Sequence, residues 1–184
     1  MLYQQEQFIG KNGKVYTLRS PDMGDAAQMI DYLKTTAAET EHGLSYPEEM
    51  DFSVADEEAF IANANTGAGS MMISVFDGSH LVGNASLGGV LGKKKTLHRA
   101  EFGIAILKSD WGQGLGRKLV SELIRAAAQA GYEQLELEVV ATNTSAIGLY
   151  EKLGFRVYGE RPNSFKLKSG RYSNELLMVL DLRK

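Results

Sequence analysis

Apolar and polar residues alternate along several stretches of the first half of the chain, as half-buried β-strands require. The alternating stretches lie at residues 14–19, 71–76, 81–91 and 99–107. The pair Asp77-Gly78 is typical of a hairpin turn, and Gly92 with the three lysines that follow it indicates a second turn. The pattern therefore predicts an antiparallel meander.

Two helices are expected before most of these strands. Ser20 is a candidate N-cap and Pro21 suits a first helical position, which predicts a helix over residues 21–38. A loop rich in acidic residues follows over residues 39–51, and a second helix is predicted over residues 54–64.

The second half of the chain switches between helical and strand periodicity. An amphipathic helix is predicted over residues 115–130 and a shorter one over residues 144–153, where Gly154 suits a left-handed C-cap with Phe155 as its apolar contact. Strands are predicted at residues 134–140, 155–160 and 172–182. The fold class is therefore α/β, with a mixed (α+β) and mostly antiparallel sheet of about seven strands and helices on both faces.

Composition narrows the class of protein. The chain has 184 residues, which suits one domain over residues 1–184, and a formal net charge of −3, which does not suit a binder of nucleic acid phosphates. Without cysteine there is no disulfide, thiolate metal site or cysteine nucleophile, and the three scattered histidines have no metal spacing. No stretch has a signal-peptide core or the ~18 apolar residues of a membrane span, so we expect a cytoplasmic protein.

A glycine-rich loop, Gly112-Gln113-Gly114-Leu115-Gly116, separates a predicted strand from a predicted helix. The first N–H groups of a helix lack intrahelical partners and the helix dipole favours an anion there, so the loop is a candidate phosphate site, with Arg117 and Lys118 beside it. A Walker A loop is excluded, because it needs Gly-x4-Gly-Lys-Ser/Thr. A dinucleotide site stays open, with Glu138 as ribose partner, and so does a turn that only packs the helix on the sheet.

The segments around this loop carry a more specific pattern. A strand ends at residues 102–106, the glycine loop follows, and one helix later the chain contains Asn143 and the stretch AIGLYEKLGF at residues 146–155. This combination resembles the GNAT superfamily of acyl-CoA-dependent N-acetyltransferases, in which Arg/Gln-x-x-Gly-x-Gly/Ala binds the pyrophosphate of coenzyme A. Trp111 stands where Arg or Gln is usual, which weakens a role for that side chain but not for the backbone of the loop.

The resemblance implies a cofactor site made largely of backbone groups. The strand before the loop would pair with the pantetheine arm and offer N–H groups to the oxyanion, and the loop amides would hold the pyrophosphate. The implied cofactor-binding residues are Ile104, Ala105, Ile106, Gly112, Gln113, Gly114, Leu115, Gly116, Arg117, Asn143 and Tyr150. Asn143 is also a candidate N-cap of the helix that begins near Thr144.

The resemblance further implies direct transfer of an acetyl group from acetyl-CoA, as co-substrate, to a primary amine, with no metal. Tyr150 would protonate the departing thiolate, because a phenol of ordinary pKa near 10 can donate to a thiolate whose thiol has a pKa near 8.5. Glu101 is the candidate base, since alternation places it on one face with the small residues Gly103 and Ala105. Glu138, in the neighbouring strand, or a water is the alternative base.

The acceptor is not identified by the sequence. In GNAT proteins the region between the first two helices walls the acceptor site; here residues 39–51, with five acids, would suit a cationic amine, or form a solvated loop. Residues 161–171 are the candidate opposite wall. A non-catalytic acyl-CoA-binding sensor and a nicotinamide-dinucleotide enzyme are the alternative functions. The family also suggests a homodimer, and the use of longer acyl groups is open.

Overall fold

The computed structural model describes residues 1–90 and 92–183, which form eight strands and four α-helices. The strands are β1 (Glu6–Ile9), β2 (Val15–Arg19), β3 (Met71–Asp77), β4 (His80–Gly89), β5 (Arg99–Ile106), β6 (Gln134–Val140), β7 (Arg156–Lys166) and β8 (Tyr172–Asp181). The helices are α1 (Ala26–Glu39), α2 (Val54–Thr66), α3 (Leu115–Gln129) and α4 (Thr144–Lys152). Two positions of the sequence-based predictions, Leu91 and Lys184, lie outside the described residues.

One sheet of order β1-β2-β3-β4-β5-β6-β8-β7 contains all eight strands. Every neighbouring pair is antiparallel except β5 and β6, which are parallel. The mixed, mostly antiparallel α/β sheet is therefore confirmed, with eight strands instead of about seven. The strand missed by the sequence reading is β1, because its four residues, Glu-Gln-Phe-Ile, are too few to give a clear alternation.

The start of the first helix differs from the prediction. Ser20 does not cap it: the Ser20 hydroxyl donates to the carbonyl of Met72 and accepts from the amide of Tyr3. Asp22 instead caps a short 3-10 turn over Met23–Asp25, and α1 begins only after that turn. The Ser20 hydroxyl thus connects the end of β2 to β3. The cap is provided by Asp22 instead, since aspartate and serine are both favoured N-cap residues.

Helices cover both faces of the sheet, as predicted. Strand β3 shows this directly: Met71, Ile73 and Val75 belong to the apolar core that contains α3 and Tyr150 of α4. Met72 and Phe76, which alternation turns to the other face, pack with residues of α1. Because β3 is buried on both faces, its sequence is a continuous apolar run interrupted only by Ser74.

The sheet opens at its centre, between β5 and β6. These strands pair only from Arg99↔Gln134 to Glu101↔Glu136, and the Arg99 guanidinium binds the Glu136 carboxylate at 2.5 and 2.7 Å across that short contact. Beyond Glu101 the described residues of the two strands form no further ladder pair. The diverging strands leave a gap that the glycine loop and α4 approach.

Candidate active site

The glycine loop adopts a conformation that only glycine accepts readily. Gly112 and Gly114 have φ of 76° and 91°, and Gly114 is the N-cap residue of α3. No side chain caps the first N–H groups of α3, so these groups stay open to a ligand. A Cβ on Gly116 would lie 3.2 Å from Leu149 Cδ2 and 3.7 Å from Ile106 Cδ1, which shows that α3, α4 and β5 converge here. A loop of open amides at a helix N-terminus fits the pyrophosphate of coenzyme A.

The two basic residues after the loop have different surroundings. Lys118 binds Glu6 of β1 at 2.7 Å and Glu122 of α3 at 2.9 Å, so its charge is neutralised inside the protein. This corrects the expectation that both side chains add positive charge to the loop. Arg117 is exposed and joins no ion pair within residues 1–90 and 92–183. Arg117 is therefore the side chain that can meet an anion.

The hydrogen bonds of β5 to β4 determine where its other backbone groups point. The amide of Leu107 donates to the carbonyl of Val82 at 2.8 Å, and the amide of Val90 donates to the carbonyl of Arg99 at 3.1 Å. Odd-numbered residues of β5 thus bond to β4. Because backbone direction alternates along a strand in an antiparallel pair, even-numbered residues point toward the side of β6.

This alternation divides the three residues of β5 that were expected to contact the cofactor. Ile104 and Ile106 point their backbone groups into the gap, where the Ile106 carbonyl accepts a hydrogen bond from the Trp111 indole at 2.7 Å. Ala105 faces β4, and its carbonyl accepts from the Tyr32 hydroxyl at 2.7 Å. The backbone groups available to a ligand are thus those of Ile104 and the N–H of Ile106.

Tyr150 lies in an aromatic cluster against β5. Its ring meets Phe102 edge-on at 5.8 Å and Phe155 at 6.0 Å. Burial in these apolar surroundings raises the pKa of Tyr150 to about 12, because it disfavours the charged phenolate. Within the described residues the hydroxyl makes no hydrogen bond to the protein, so its donor is free for a ligand.

Both ends of α4 have the cap predicted for them. The Asn143 side chain accepts from the amide of Ala146 at 3.2 Å. At the other end Gly154 has φ of 96°, its amide donates to Glu151, and the amide of Phe155 donates to the carbonyl of Tyr150. These two bonds form a Schellman motif, which fixes the turn of helix that carries Tyr150.

Gly148 lies inside α4, where glycine costs about 1 kcal/mol relative to alanine, and this cost predicts close packing against the sheet or a ligand. A Cβ built on it would meet no heavy atom within 4 Å, so contact with the sheet is ruled out for the part of the chain described. The helix therefore has an open face at this position. Of the two explanations for the glycine, close approach of a ligand is the one that the structure leaves open.

The two candidate bases differ in their partners. Glu101 is exposed and forms no ion pair or side-chain hydrogen bond among the described residues. Glu138 binds Arg161 at 2.9 Å, and Arg161 also binds the buried Glu175. The Glu138 carboxylate already has a partner in Arg161 and the Glu101 carboxylate has none among the described residues, so the geometry favours Glu101 as the candidate base.

The two candidate acceptor walls are joined across the open end of the sheet. We call residues 40–51 the strap. Its Glu41 binds Arg171 at 2.9 Å, and the Tyr46 hydroxyl accepts from the amide of Lys168 at 2.9 Å while the Lys168 ammonium lies 4.2 Å from the ring centroid. Glu48 also binds Lys168. A small cavity lies beneath this junction, lined by Glu41, Val140, Thr142, Leu167, Arg171, Tyr172 and Ser173.

The acids of this region are largely engaged within the protein. Besides the ion pairs of Glu41 and Glu48, Glu39 accepts from the amide of Lys108 at 2.7 Å and Glu49 accepts from the amide of Tyr46 at 2.6 Å. Four of the five acids of residues 39–51 are therefore engaged by groups of the protein instead of presenting free charge to an acceptor, and two of them, Glu41 and Glu48, hold the strap to the β7–β8 turn. Sequence patterns could not reveal these contacts, because the ion-pair partners lie 120 and 130 positions away.

Other classes of site find no support in the described part of the chain. No helix there is long and apolar enough to cross a membrane. No group of three or more His, Cys, Asp or Glu side chains in residues 1–90 and 92–183 could hold a metal ion.

Solved structures of other proteins share this fold. An acetyltransferase of the GNAT family from Streptococcus pneumoniae superposes with a TM-score of 0.84 at 23% identity, over 90% of this chain and 98% of that one. The yncA protein of Salmonella typhimurium, solved with its cofactor acetyl-CoA, gives 0.80 at 23% identity over 92% of this chain and 95% of that one.

The amino-acid sequence has relatives among characterised proteins. The N-acetyltransferase of Escherichia coli K12 that acts on the alanine of ribosomal protein bS18 is 40% identical over 81 residues, which is 44% of this chain and 54% of that protein. The chain thus spans about half the length of that relative. The sequence model of the Acetyltransferase (GNAT) family matches residues 29–155, which include β5, the glycine loop and α4. The chain belongs to the Acetyltransferase (GNAT) family.

Proposed function

We propose that this protein is an acetyl-CoA-dependent N-acetyltransferase that passes the acetyl group directly to a primary amine, as a single domain over residues 1–184. The observation that carries the proposal is the convergence of three features at the gap in the sheet. They are the glycine loop, the backbone edge of β5 at Ile104 and Ile106, and the free hydroxyl of Tyr150.

The donor would be held mainly by backbone groups. The amides from Gly112 to Arg117 suit the pyrophosphate, and the Arg117 guanidinium adds positive charge. The backbone of Ile104 would pair with the pantetheine arm in the gap, where β6 supplies no ladder partner. Because the N–H groups of Ile104 and Ile106 point into the same gap, they are the candidate donors to the oxyanion. Bound acetyl-CoA supplies the activated acetyl group.

The remaining steps need two proton transfers. The amine nitrogen attacks the acetyl carbonyl carbon, a C–N bond forms and the C–S bond breaks. Glu101 takes the proton that the attacking amine loses, directly or through a water. The Tyr150 hydroxyl gives a proton to the departing thiolate. Holding both reactants in line would lower the barrier by about 7–11 kcal/mol in addition.

The position of the strap restricts how an acceptor could enter the site. The contacts of Glu41 and Tyr46 with the β7–β8 turn lie beyond the carboxyl ends of β5 and β6, at the wide end of the gap. An acceptor that enters past these contacts would be a small amine or the extended end of a peptide. The Escherichia coli relative is named for an alanine of a ribosomal protein, so the α-amine of a peptide N-terminus is the first acceptor to test. A cytoplasmic location and a homodimer belong to the same proposal.

Thermal unfolding with acetyl-CoA, coenzyme A and NAD in parallel tests the donor. A ligand at about 100 times its Kd stabilises the fold by about 2.7 kcal/mol, or roughly 5–11 °C in Tm for this chain length. We expect that rise with acetyl-CoA and none with NAD.

A free-thiol assay with an alanine-terminated peptide and a panel of small amines then tests transfer. Thiol release that depends on an amine supports the enzyme. Binding of acetyl-CoA with no product from any amine would indicate the non-catalytic sensor instead. No Tm rise with saturating acetyl-CoA would refute both.

A further inference from the structure

A buried polar pair lies directly beneath the start of the glycine loop. The Tyr16 hydroxyl of β2 donates to Asp110 Oδ1 at 2.9 Å, and the Ser109 hydroxyl donates to Asp110 Oδ2 at 2.6 Å. Tyr16 is 0% exposed and Asp110 is 5% exposed. Asp110 stands two residues before Gly112, so this pair attaches the entrance of the loop to a strand 94 positions earlier in the chain.

The other side of the loop is attached to the same hairpin. The Gln113 side-chain oxygen accepts from the amide of Asn12 at 2.9 Å, and the Gln113 carbonyl accepts from the amide of Lys11 at 3.3 Å. The Asn12 side chain in turn donates to the Tyr16 hydroxyl at 3.3 Å. The turn between β1 and β2 thus contacts Gln113 and, through Tyr16, Asp110. We call this set of contacts the hairpin clamp.

Burying the Tyr16–Asp110 pair of the hairpin clamp costs hydration free energy, so the need to fill the core does not by itself explain why polar residues stand there. A carboxylate and a phenol buried together lose their hydration, and apolar side chains of similar volume stabilise a core at least as well. Unlike apolar contacts, the hydrogen bonds of the clamp are directional, and they hold residues 110–113 at defined positions. The clamp engages the Asp110 carboxylate and the side-chain oxygen and carbonyl of Gln113, and no side chain caps the α3 N-terminus, so the loop is held without its anion-binding amides being used.

We propose that Tyr16 and Asp110 are positioning residues for the cofactor, which hold the glycine loop in the conformation that receives the pyrophosphate. The inference rests on the proposed function, since it assigns the pyrophosphate to this loop. A loop that is already ordered loses little conformational entropy when the ligand binds. The β1–β2 hairpin, at the edge of the sheet, is then part of the donor site although it touches no donor atom.

The test is Tyr16→Phe, which keeps the ring and removes only the hydroxyl. Tyr132→Phe is the matched control, because it removes a half-buried hydroxyl that donates to Gly69 and lies outside the clamp. Both variants are assayed with acetyl-CoA and with S-acetyl-pantetheine, a donor that lacks the pyrophosphate. We expect Tyr16→Phe to raise KM for acetyl-CoA about tenfold, which corresponds to about 1.4 kcal/mol, with kcat within twofold. KM for S-acetyl-pantetheine should not change, and Tyr132→Phe should match the wild type with both donors.

Two further variants keep the proposal falsifiable if Tyr16→Phe fails to fold. Asp110→Asn retains the acceptor oxygen for Tyr16 and should keep KM for acetyl-CoA near the wild-type value. Gln113→Ala removes the tie to Asn12 at the surface and should raise KM for acetyl-CoA selectively.

If Tyr16→Phe or Gln113→Ala changed KM equally for both donors, or left KM for acetyl-CoA unchanged, the positioning role would be overturned. A wild-type protein that releases no thiol from either donor would instead refute the proposed function itself.

Discussion

Replacing Tyr150 by phenylalanine probes the proposed chemistry most directly. The hydroxyl has no protein partner among the described residues, so its loss should leave Tm within about 2 °C. Its pKa of about 12 exceeds the ordinary pKa of a thiol, 8.5, by about 3.5 units, or about 5 kcal/mol for complete proton transfer. The same apolar surroundings also disfavour the thiolate, which reduces that difference. General acid catalysis usually contributes about 10²–10⁴-fold, and because this proton transfer is uphill we expect kcat to fall by an amount near the lower end of that range.

The assay is thiol release at saturating amine, with KM for acetyl-CoA expected to stay within twofold. Tyr158→Phe, which removes an exposed phenol of β7, is the control. Because burial keeps Tyr150 protonated up to a pH of about 12, the wild-type rate should show no alkaline decline caused by this group below about pH 11. A fall in kcat of less than threefold would remove Tyr150 from the mechanism.

Four other substitutions test the candidate bases, the Arg99–Glu136 ion pair and the open face of α4. Glu101→Gln should lower kcat by about 10²–10⁴-fold while Glu138→Gln changes it less than threefold; the reverse result would exchange the two bases. Glu136→Gln should lower the free energy of unfolding by about 1–3 kcal/mol at pH 7. The Arg99 guanidinium lowers the pKa of Glu136 below its ordinary value near 4.3, so this difference should disappear as the pH falls below about 4, and a constant difference in urea unfolding would contradict it. Gly148→Ala should raise Tm by about 2–4 °C, because alanine favours a helix by about 1 kcal/mol, yet raise the Kd of acetyl-CoA; an unchanged Kd would leave the open face of α4 without a ligand role.

Local patterns predicted the elements of the fold well, because each depends on neighbours in sequence. The caps of α4 at Asn143 and Gly154 follow from side-chain chemistry and backbone freedom within a few residues, and both are confirmed. The exceptions also have physical causes. Strand β1 is stabilised by pairing with β2 and by the bond of Glu6 to Lys118, neither of which its own residues reveal. The Ser20 hydroxyl does not cap a helix because it donates to the carbonyl of Met72 in β3, a contact that the local sequence does not reveal.

The candidate site was predictable only where it is a motif. The glycine loop, Asn143 and Tyr150 lie within one stretch of sequence, so their spacing could be recognised. The residues that contact the site come from distant parts of the sequence. Tyr16 donates a hydrogen bond to Asp110, and Arg161 forms an ion pair with Glu138. Contacts between residues so far apart depend on the tertiary fold, and no periodicity or spacing within the sequence encodes them.

The opening between β5 and β6 links the lifetime of the protein to the supply of its donor. Only three ladder pairs join the five-stranded and three-stranded parts of the sheet, so few backbone hydrogen bonds oppose a local opening at this seam. A donor bound along Ile104 would act as a removable strand and close that seam. We expect amide hydrogens near the gap to exchange faster when acyl-CoA is scarce, and proteases to reach the chain there first. In a starved cell, abundance of the enzyme would then fall together with its substrate.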